Sequence, residues 1–306
     1  MRRGRRVVAV VLVVVGLAAV PAGAAENSYR VLLTNDDGID AEGIAAAAAA
    51  LAADPAYEVT VVAPGTQQSG SGTALVIGRD VEVRSHRKVA GCRAWAVAAT
   101  PATAVRLGVT ALMASAPPDL VVSGINRGEN VGRSAWYSGT VGAAREGVLA
   151  GVPALACSLE LDWANPNPDF AGAARWLKAL VDAVRGRALP AGVYLNVNVP
   201  RDVEAIHGFR WARMGLAPPE TSVFEMVGGD DGARLYRSRW RPPRHGATGT
   251  DIRALDAGWV SVVPLGLDQT DYHALAALGE LEPVVPAAPP ASPETATSGQ
   301  AAAPGR

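Results

Sequence analysis

A chain of 306 residues, 49% hydrophobic and 19% charged with a formal net charge of -1, is long enough to bury a full core. Its apolar fraction excludes disorder over most of the length, and its near-neutral balance lacks the clustered Lys and Arg that a nucleic-acid surface needs. Two cysteines, Cys92 and Cys157, supply neither a disulfide framework nor a cysteine-rich zinc site, and four scattered histidines (His86, His207, His245, His273) form no close pair.

Residues 1–24 read as an export signal. Arg2, Arg3, Arg5 and Arg6 precede an unbroken apolar run from Val7 to Val20, and Ala22-Gly23-Ala24 supplies the small residues of a cleavage site. The run is short for a bilayer span. The expected mature chain therefore starts near Ala25 and works outside the cytoplasm, in the cell envelope or beyond. An uncleaved N-terminal membrane anchor is the alternative, and Arg5-Arg6 allows a twin-arginine route. Export permits a disulfide, yet Cys92 and Cys157 read as unpaired core residues.

From residue 25 to about 282 the chain reads as one domain. Tyr29–Thr34 predicts a short strand, and the alanine-rich stretch Ala41–Ala53 a helix ended by Asp54-Pro55. Tyr57–Ala63 predicts the next strand, Pro64–Gly72 a polar loop, and Thr73–Val83 and Ala94–Ala98 two further strand-like pieces. Thr100-Pro101 starts a helix to about Ala114, with proline in its first turn. Asp119–Ser123 is a buried-type strand, Gly124–Gly139 a Gly- and Asn-rich loop, and Thr140–Ala150 a helix. Pro153–Ser158, Phe170–Arg185 and Val193–Val199 continue as strand, helix and strand. Short apolar strands alternating with helices imply an α/β fold, a parallel sheet covered on both faces. Residues 201–250, rich in Trp, Arg, Pro and Gly, lose that rhythm and read as an extended hairpin or arm. Asp251–Pro264 predicts a short helix and last strand, and Thr270–Leu281 a final helix. The Pro- and Ala-rich tail 283–306 reads as disordered.

Ligands of an open parallel sheet bind beyond the carboxyl ends of its strands. Three predicted strands end in unusual polar loops: Thr34–Gly38, Pro64–Gly70 and Ser123–Gly128. Adjacent carboxylates such as Asp36 and Asp37 repel unless a cation lies beside them, and Mg²⁺ or Mn²⁺ suits carboxylate and neutral oxygens. Ser69 and Asn126 would add such neutral oxygens. An Asx turn with a helix cap, running from Asn35 to Gly38, is the bland reading of the same residues. Ser138-Gly139-Thr140 directly precedes a helix and forms an anion site in principle, with Arg127, Arg133 and Arg145 as possible phosphate partners. Simple capping is the alternative for Ser138 and Thr140, and a solvated face for at least one arginine. No dinucleotide fingerprint, P-loop or nucleophile elbow occurs.

VLLTNDDGIDAEGI (Val31–Ile44), VTVVAPGTQQSGSG (Val59–Gly72), TPATAVRLGV (Thr100–Val109), PDLVVSGINRGENVG (Pro118–Gly132), YSGTVGAAREG (Tyr137–Gly147) and GTDIRALDAGWVSVVPL (Gly249–Leu265) together resemble the SurE family of survival-protein nucleotidases. The resemblance implies a Rossmann-like sheet and a divalent-metal phosphatase acting on nucleoside 5′- and 3′-monophosphates. One Mg²⁺ or Mn²⁺ per subunit would sit on Asp36, Asp37, Ser69 and Asn126, with Asp36 and Asp37 also catalytic. Asn35, Gly38, Gly124, Arg127, Ser138, Gly139 and Thr140 would contact the phosphate or substrate. It also implies a homodimer or homotetramer that exchanges C-terminal segments, to which the stretch 201–250 corresponds. Metal-assisted in-line attack by water is the expected chemistry, and an aspartyl-phosphate on Asp36 its mechanistic rival. Where the family carries Asp after the proline and a basic residue before the serine, this chain has Gly65 and Gln68. That departure motivates an alternative: a secreted nucleotide- or phosphate-binding module without turnover.

Overall fold

The computed structural model describes residues 28–278, apart from 163, 166 and 244. The expected leader 1–24 and tail 283–306 lie outside the described residues. In chain order the elements are β1 (Tyr29–Thr34), α1 (Glu42–Ala52), β2 (Tyr57–Pro64), β3 (Val83–Val89), β4 (Cys92–Val97), α2 (Pro101–Leu107) and β5 (Leu120–Arg127). Then come α3 (Gly139–Leu149), β6 (Ala154–Leu159), α4 (Phe170–Val184), β7 (Val193–Val199), β8 (Phe209–Trp211), β9 (Thr221–Asp230), β10 (Ala233–Arg241), α5 (Asp251–Asp256), β11 (Val260–Gly266) and α6 (Tyr272–Leu278). Compact packing runs to Leu267, and a second unit begins at Asp268. Within that unit, the Asp268 carboxylate accepts from Thr270 N–H and the Tyr272 hydroxyl just ahead of α6. Among the described residues no helix is long and apolar enough to cross a membrane.

Nine strands form one sheet in the order β3-β4-β2-β1-β5-β6-β7-β11-β8. The six strands from β4 to β7 are mutually parallel, β3 and β11 run antiparallel to their neighbours β4 and β7, and β8 pairs parallel to β11. The central strands are largely apolar because successive side chains feed two different cores. In β1, Val31 and Leu33 pack with Ile44, Leu51, Leu177 and Val181 of α1 and α4, while Leu32 packs on the other face with Val105, Val141 and Ala144 of α2 and α3. The same alternation holds in β5, where Leu120 and Val122 join the first core and Val121 the second. Each fully buried leucine or valine contributes roughly 1.5–3 kcal/mol. Helices on both faces of a mostly parallel sheet are the expected α/β, Rossmann-like architecture.

Order in the sheet creates the crevice. From β1 the chain moves outward through α1 to β2; from β5 it moves the opposite way through α3 to β6. The carboxyl ends of the adjacent strands β1 and β5 therefore flank a topological switch point, where connecting loops diverge.

Three expectations are corrected here. Residues 73–82 contain no strand, although Thr73–Val83 was expected to hold one: the main chain there is irregular, with Val76 N–H donating to Thr103 Oγ1 (3.0 Å). The strand starts only at Val83. The helix begun at Pro101, with Thr100 as its cap, passes at Gly108 into a π-helical turn ending at Leu112. Finally, β5 does not stop at Ser123. It runs to Arg127 through an irregularity in its pairing with β6 between Ser123 and Asn126. Gly124 makes this possible: its φ is +140°, and a Cβ there would lie 2.3 Å from the Cys157 carbonyl oxygen. Both cysteines are free and buried, as expected.

Candidate active site

Four segments meet at the switch point, and direct bonds stitch them together. Gln68 N–H, from the loop after β2, donates to Asp36 O (2.7 Å). Arg127 N–H, at the end of β5, donates to Asp37 Oδ2 (2.9 Å). The Thr140 hydroxyl, in the first turn of α3, donates to Asp36 Oδ1. Gly72 N–H donates to Tyr137 O (3.0 Å), joining the second loop to the turn before α3. The loop after β1 is itself folded by Asn35, whose Nδ2 donates to Gly38 O (2.8 Å), with Gly38 at φ +105°. Asn35 therefore makes no Asx turn, since its Oδ1 accepts no hydrogen bond within the protein, and it caps no helix: α1 starts behind Ala41, which has no side-chain cap.

The resulting cleft has a volume of about 800 Å³ and is lined at one end by Asp36, Ser69, Asn126, Arg127 and Ser138. Asp36 is 4% exposed. Burial pushes its carboxyl up to about 6; the Thr140 hydrogen bond opposes that rise and the charge of Asp37 adds to it. Burial raises Asp37 too, against the lowering influence of Arg127. Asn126 Nδ2 donates to Gly128 O (2.6 Å), which leaves Oδ1 as the acceptor its amide can offer.

These residues fit a hard divalent cation. Two neighbouring carboxylates that burial drives toward protonation regain their ionised state beside a 2+ charge, and their summed charge balances it. Every available donor at this end is oxygen, which suits Mg²⁺ or Mn²⁺. No group of three or more His, Cys, Asp or Glu positioned to hold a metal occurs among the described residues, so neutral oxygens of Ser69 and Asn126 would have to complete the protein's share. Ser71 Oγ and Asn35 Oδ1 add buried oxygens without a hydrogen-bond partner in the protein, and Ser71 Oγ lies beside Gly139, as does Asp36 Oδ2.

Of the seven expected substrate contacts, only Arg127 and Ser138 line the cleft. Asn35, Gly38, Gly124, Gly139 and Thr140 belong to the frame behind it. Asn35 and Thr140 are fully buried, and a Cβ on Gly139 would come within 2.7 Å of Ser71 Oγ and 2.9 Å of Asp36 Oδ2. Ser138 also caps α3, its Oγ accepting from Val141 N–H (3.1 Å). Arg145 is corrected from a phosphate partner to a strut: its guanidinium donates to the Tyr194 hydroxyl and to Thr73 Oγ1 (both 2.9 Å) and lies over the Trp136 and Tyr194 rings. Arg133 donates to Leu216 O (2.9 Å).

A buried polar network under the cleft went unread in the sequence. Asn130 N–H donates to Asn198 Oδ1 (2.7 Å), Asn130 Nδ2 to Ser158 Oγ (2.9 Å), and Asn196 Nδ2 to Asn130 O (2.8 Å). Asparagines two apart in the otherwise apolar strand VYLNVNV were the signal, since polar groups in such a strand must be paired. Asp251 completes the underside, its carboxylate accepting from Gly132 N–H and Gly215 N–H (both 2.8 Å).

Fold and cleft together define an α/β protein with an oxygen-lined cleft at the switch point of a mostly parallel sheet. The family model for Survival protein SurE matches residues 31–220. A 5'-nucleotidase SurE of Rhizorhabdus wittichii is 39% identical over 259 residues, covering 81% of this chain and 97% of the relative. 5'-nucleotidase SurE 1 of Thermus thermophilus is 41% identical over 261 residues, covering 84% and 100%. The crystal structure of the SurE protein from Aquifex aeolicus superposes with a TM-score of 0.70 at 33% identity, covering 81% of this chain and 98% of that one. The chain belongs to the SurE family.

Proposed function

We propose that this protein is a divalent-metal-dependent phosphomonoesterase that hydrolyses nucleoside 5′- and 3′-monophosphates to nucleoside and phosphate. One observation carries the reading: the buried carboxylate of Asp36 shares a cleft with Ser69 and Asn126, directly against the N-terminus of α3. The names of its relatives support the nucleotide as substrate.

Asp36, Asp37, Ser69 and Asn126 would hold one Mg²⁺ or Mn²⁺ per subunit. When bound, such an ion supplies Lewis acidity and a water made acidic enough to attack phosphorus. Thr140 fixes Asp36 by bonding one of its oxygens, and Arg127 N–H does the same for Asp37. The Ser138 hydroxyl, at the cleft wall beside the N-terminus of α3, is placed to take up the charge that grows on the phosphate oxygens. Arg127, at the cleft wall, adds positive charge. The leader sequence and the arm extend the proposal: the enzyme acts outside the cytoplasm, as a homodimer or homotetramer that exchanges C-terminal segments.

Phosphate release from 5′-AMP, 3′-AMP and 4-nitrophenyl phosphate, measured on EDTA-stripped protein with and without Mn²⁺ or Mg²⁺, tests the reading. Metal-restored turnover of both nucleotides is expected. Binding of AMP with no phosphate released under any divalent ion would replace the enzyme by a binding module.

A further inference from the structure

The oxygen-lined end occupies only part of the cleft. The hairpin of β9 and β10 lines it as well. The register of that hairpin pairs Ser222 with Trp240 and Phe224 with Ser238. Residues two apart on a strand share a face, and directly opposed residues share it as well. These four side chains therefore form one patch, with aromatic rings on one diagonal and hydroxyls on the other. All four line the cleft that holds Asp36 and Asn126. The intervening residues belong to the opposite face, where Arg239 Nε donates to Glu225 Oε2 (2.8 Å). Phe224 is 73% exposed and Trp240 38%, so both rings offer surface to a ligand. Tyr137, from the turn before α3, meets Trp240 edge-on, with centroids 5.9 Å apart and planes at 75°, and ties the hairpin to the body.

The two linings ask for different chemistry in one ligand. A hard anionic group suits the Asp36 end. A flat, apolar ring with a polar edge suits two aromatics separated by two serines. A phosphate joined to a heteroaromatic ring through a sugar meets both demands. We infer that Phe224 and Trp240 form the wall on which the nucleobase stacks, with Ser222 and Ser238 bonding its edge or the sugar hydroxyls, and that this wall sets the preference for nucleotides over plain sugar phosphates. The inference rests on the phosphomonoesterase reading above and adds a specificity determinant to it. Because every base has a π-face, stacking selects for a base without strongly choosing among bases.

The test compares kcat/KM for AMP and for ribose 5-phosphate in the full chain with Mn²⁺, using the unaltered protein, Trp240→Ala, Phe224→Ala, the double variant and Trp240→Phe. The AMP to ribose 5-phosphate ratio is expected to fall about tenfold or more in the double variant, mainly through KM, and to be largely kept by Trp240→Phe. Thermal melts that coincide with the parent's show the hairpin variants to be folded; if the double variant melts early, the single variants carry the same comparison. A ratio that stays at the parent value in the alanine variants, with ribose 5-phosphate still hydrolysed, overturns the wall and leaves the phosphatase standing. No phosphate from either substrate in the unaltered protein ends both.

Discussion

The hydroxyl of Thr140 donates a hydrogen bond to Oδ1 of Asp36 across 104 residues of sequence. It joins the first turn of α3 to the loop after β1, and both residues are buried. A side chain that orients a metal-binding carboxylate from behind affects affinity by about 10–100-fold when removed. Thr140→Val keeps the shape and deletes the donor, so Mn²⁺ affinity measured by calorimetry is expected to fall at least about tenfold, with a melting temperature close to the parent's. Thr140→Ser is expected to keep most of the affinity. Equal affinity in the valine variant and the parent would show that Asp36 needs no such support.

Asp251 makes a stability prediction. It is fully buried and accepts from Gly132 N–H, Gly215 N–H and its neighbour Ile252 N–H. Asp251→Leu strands those donors, at about 1–3 kcal/mol each, so a total near 3 kcal/mol or more is expected. For a domain of this size that corresponds to a fall of roughly 6–12 °C in Tm, read by calorimetry. Asp251→Asn, which keeps one acceptor, is expected to lose less. A leucine variant melting within a degree or two of the parent contradicts the account.

A buried thiol in β6 tests the packing of the core. Burial pushes the Cys157 thiol up to about 12. A raised thiol pKa leaves the group protonated over the ordinary range, and at pH 8 the reactive thiolate is about one part in ten thousand. Iodoacetamide at pH 8 is expected to leave Cys157 unlabelled in the native protein and to label it once the chain is unfolded, as read by peptide mass spectrometry. Rapid native labelling would mean that the core around β6 opens far more readily than its packing implies.

Short-range physics was legible and long-range pairing was not. Val193–Val199 reads as a strand at its observed bounds because a β-branched run flanked by Gly and Pro has few other options. Asp36, Ser69 and Asn126 could be brought together because the carboxyl ends of parallel strands share an edge. The Thr140 bond was invisible: from sequence the residue is only a helix-start threonine, and its partner lies in another loop. Arg145 misled for the same reason, since nothing near it in the chain announces Tyr194 or Thr73 as its acceptors. Gly124 hid the last turns of β5, because a glycine followed by polar residues reads as the end of a strand rather than a pairing irregularity within one. The hairpin's aromatics showed a signal, Ser-x-Phe on one strand and Ser-x-Trp on the other, that becomes meaningful only when the register sets them on one face.

The central claim is that three strand-end loops meet around one hard cation. Crystals grown with Mn²⁺ and measured near its absorption edge test it directly. The account predicts an anomalous peak in the cleft within about 2.0–2.3 Å of oxygens from Asp36 or Asp37, Ser69 and Asn126. A strong peak elsewhere with none in this cleft, at a manganese concentration that supports turnover, would contradict it.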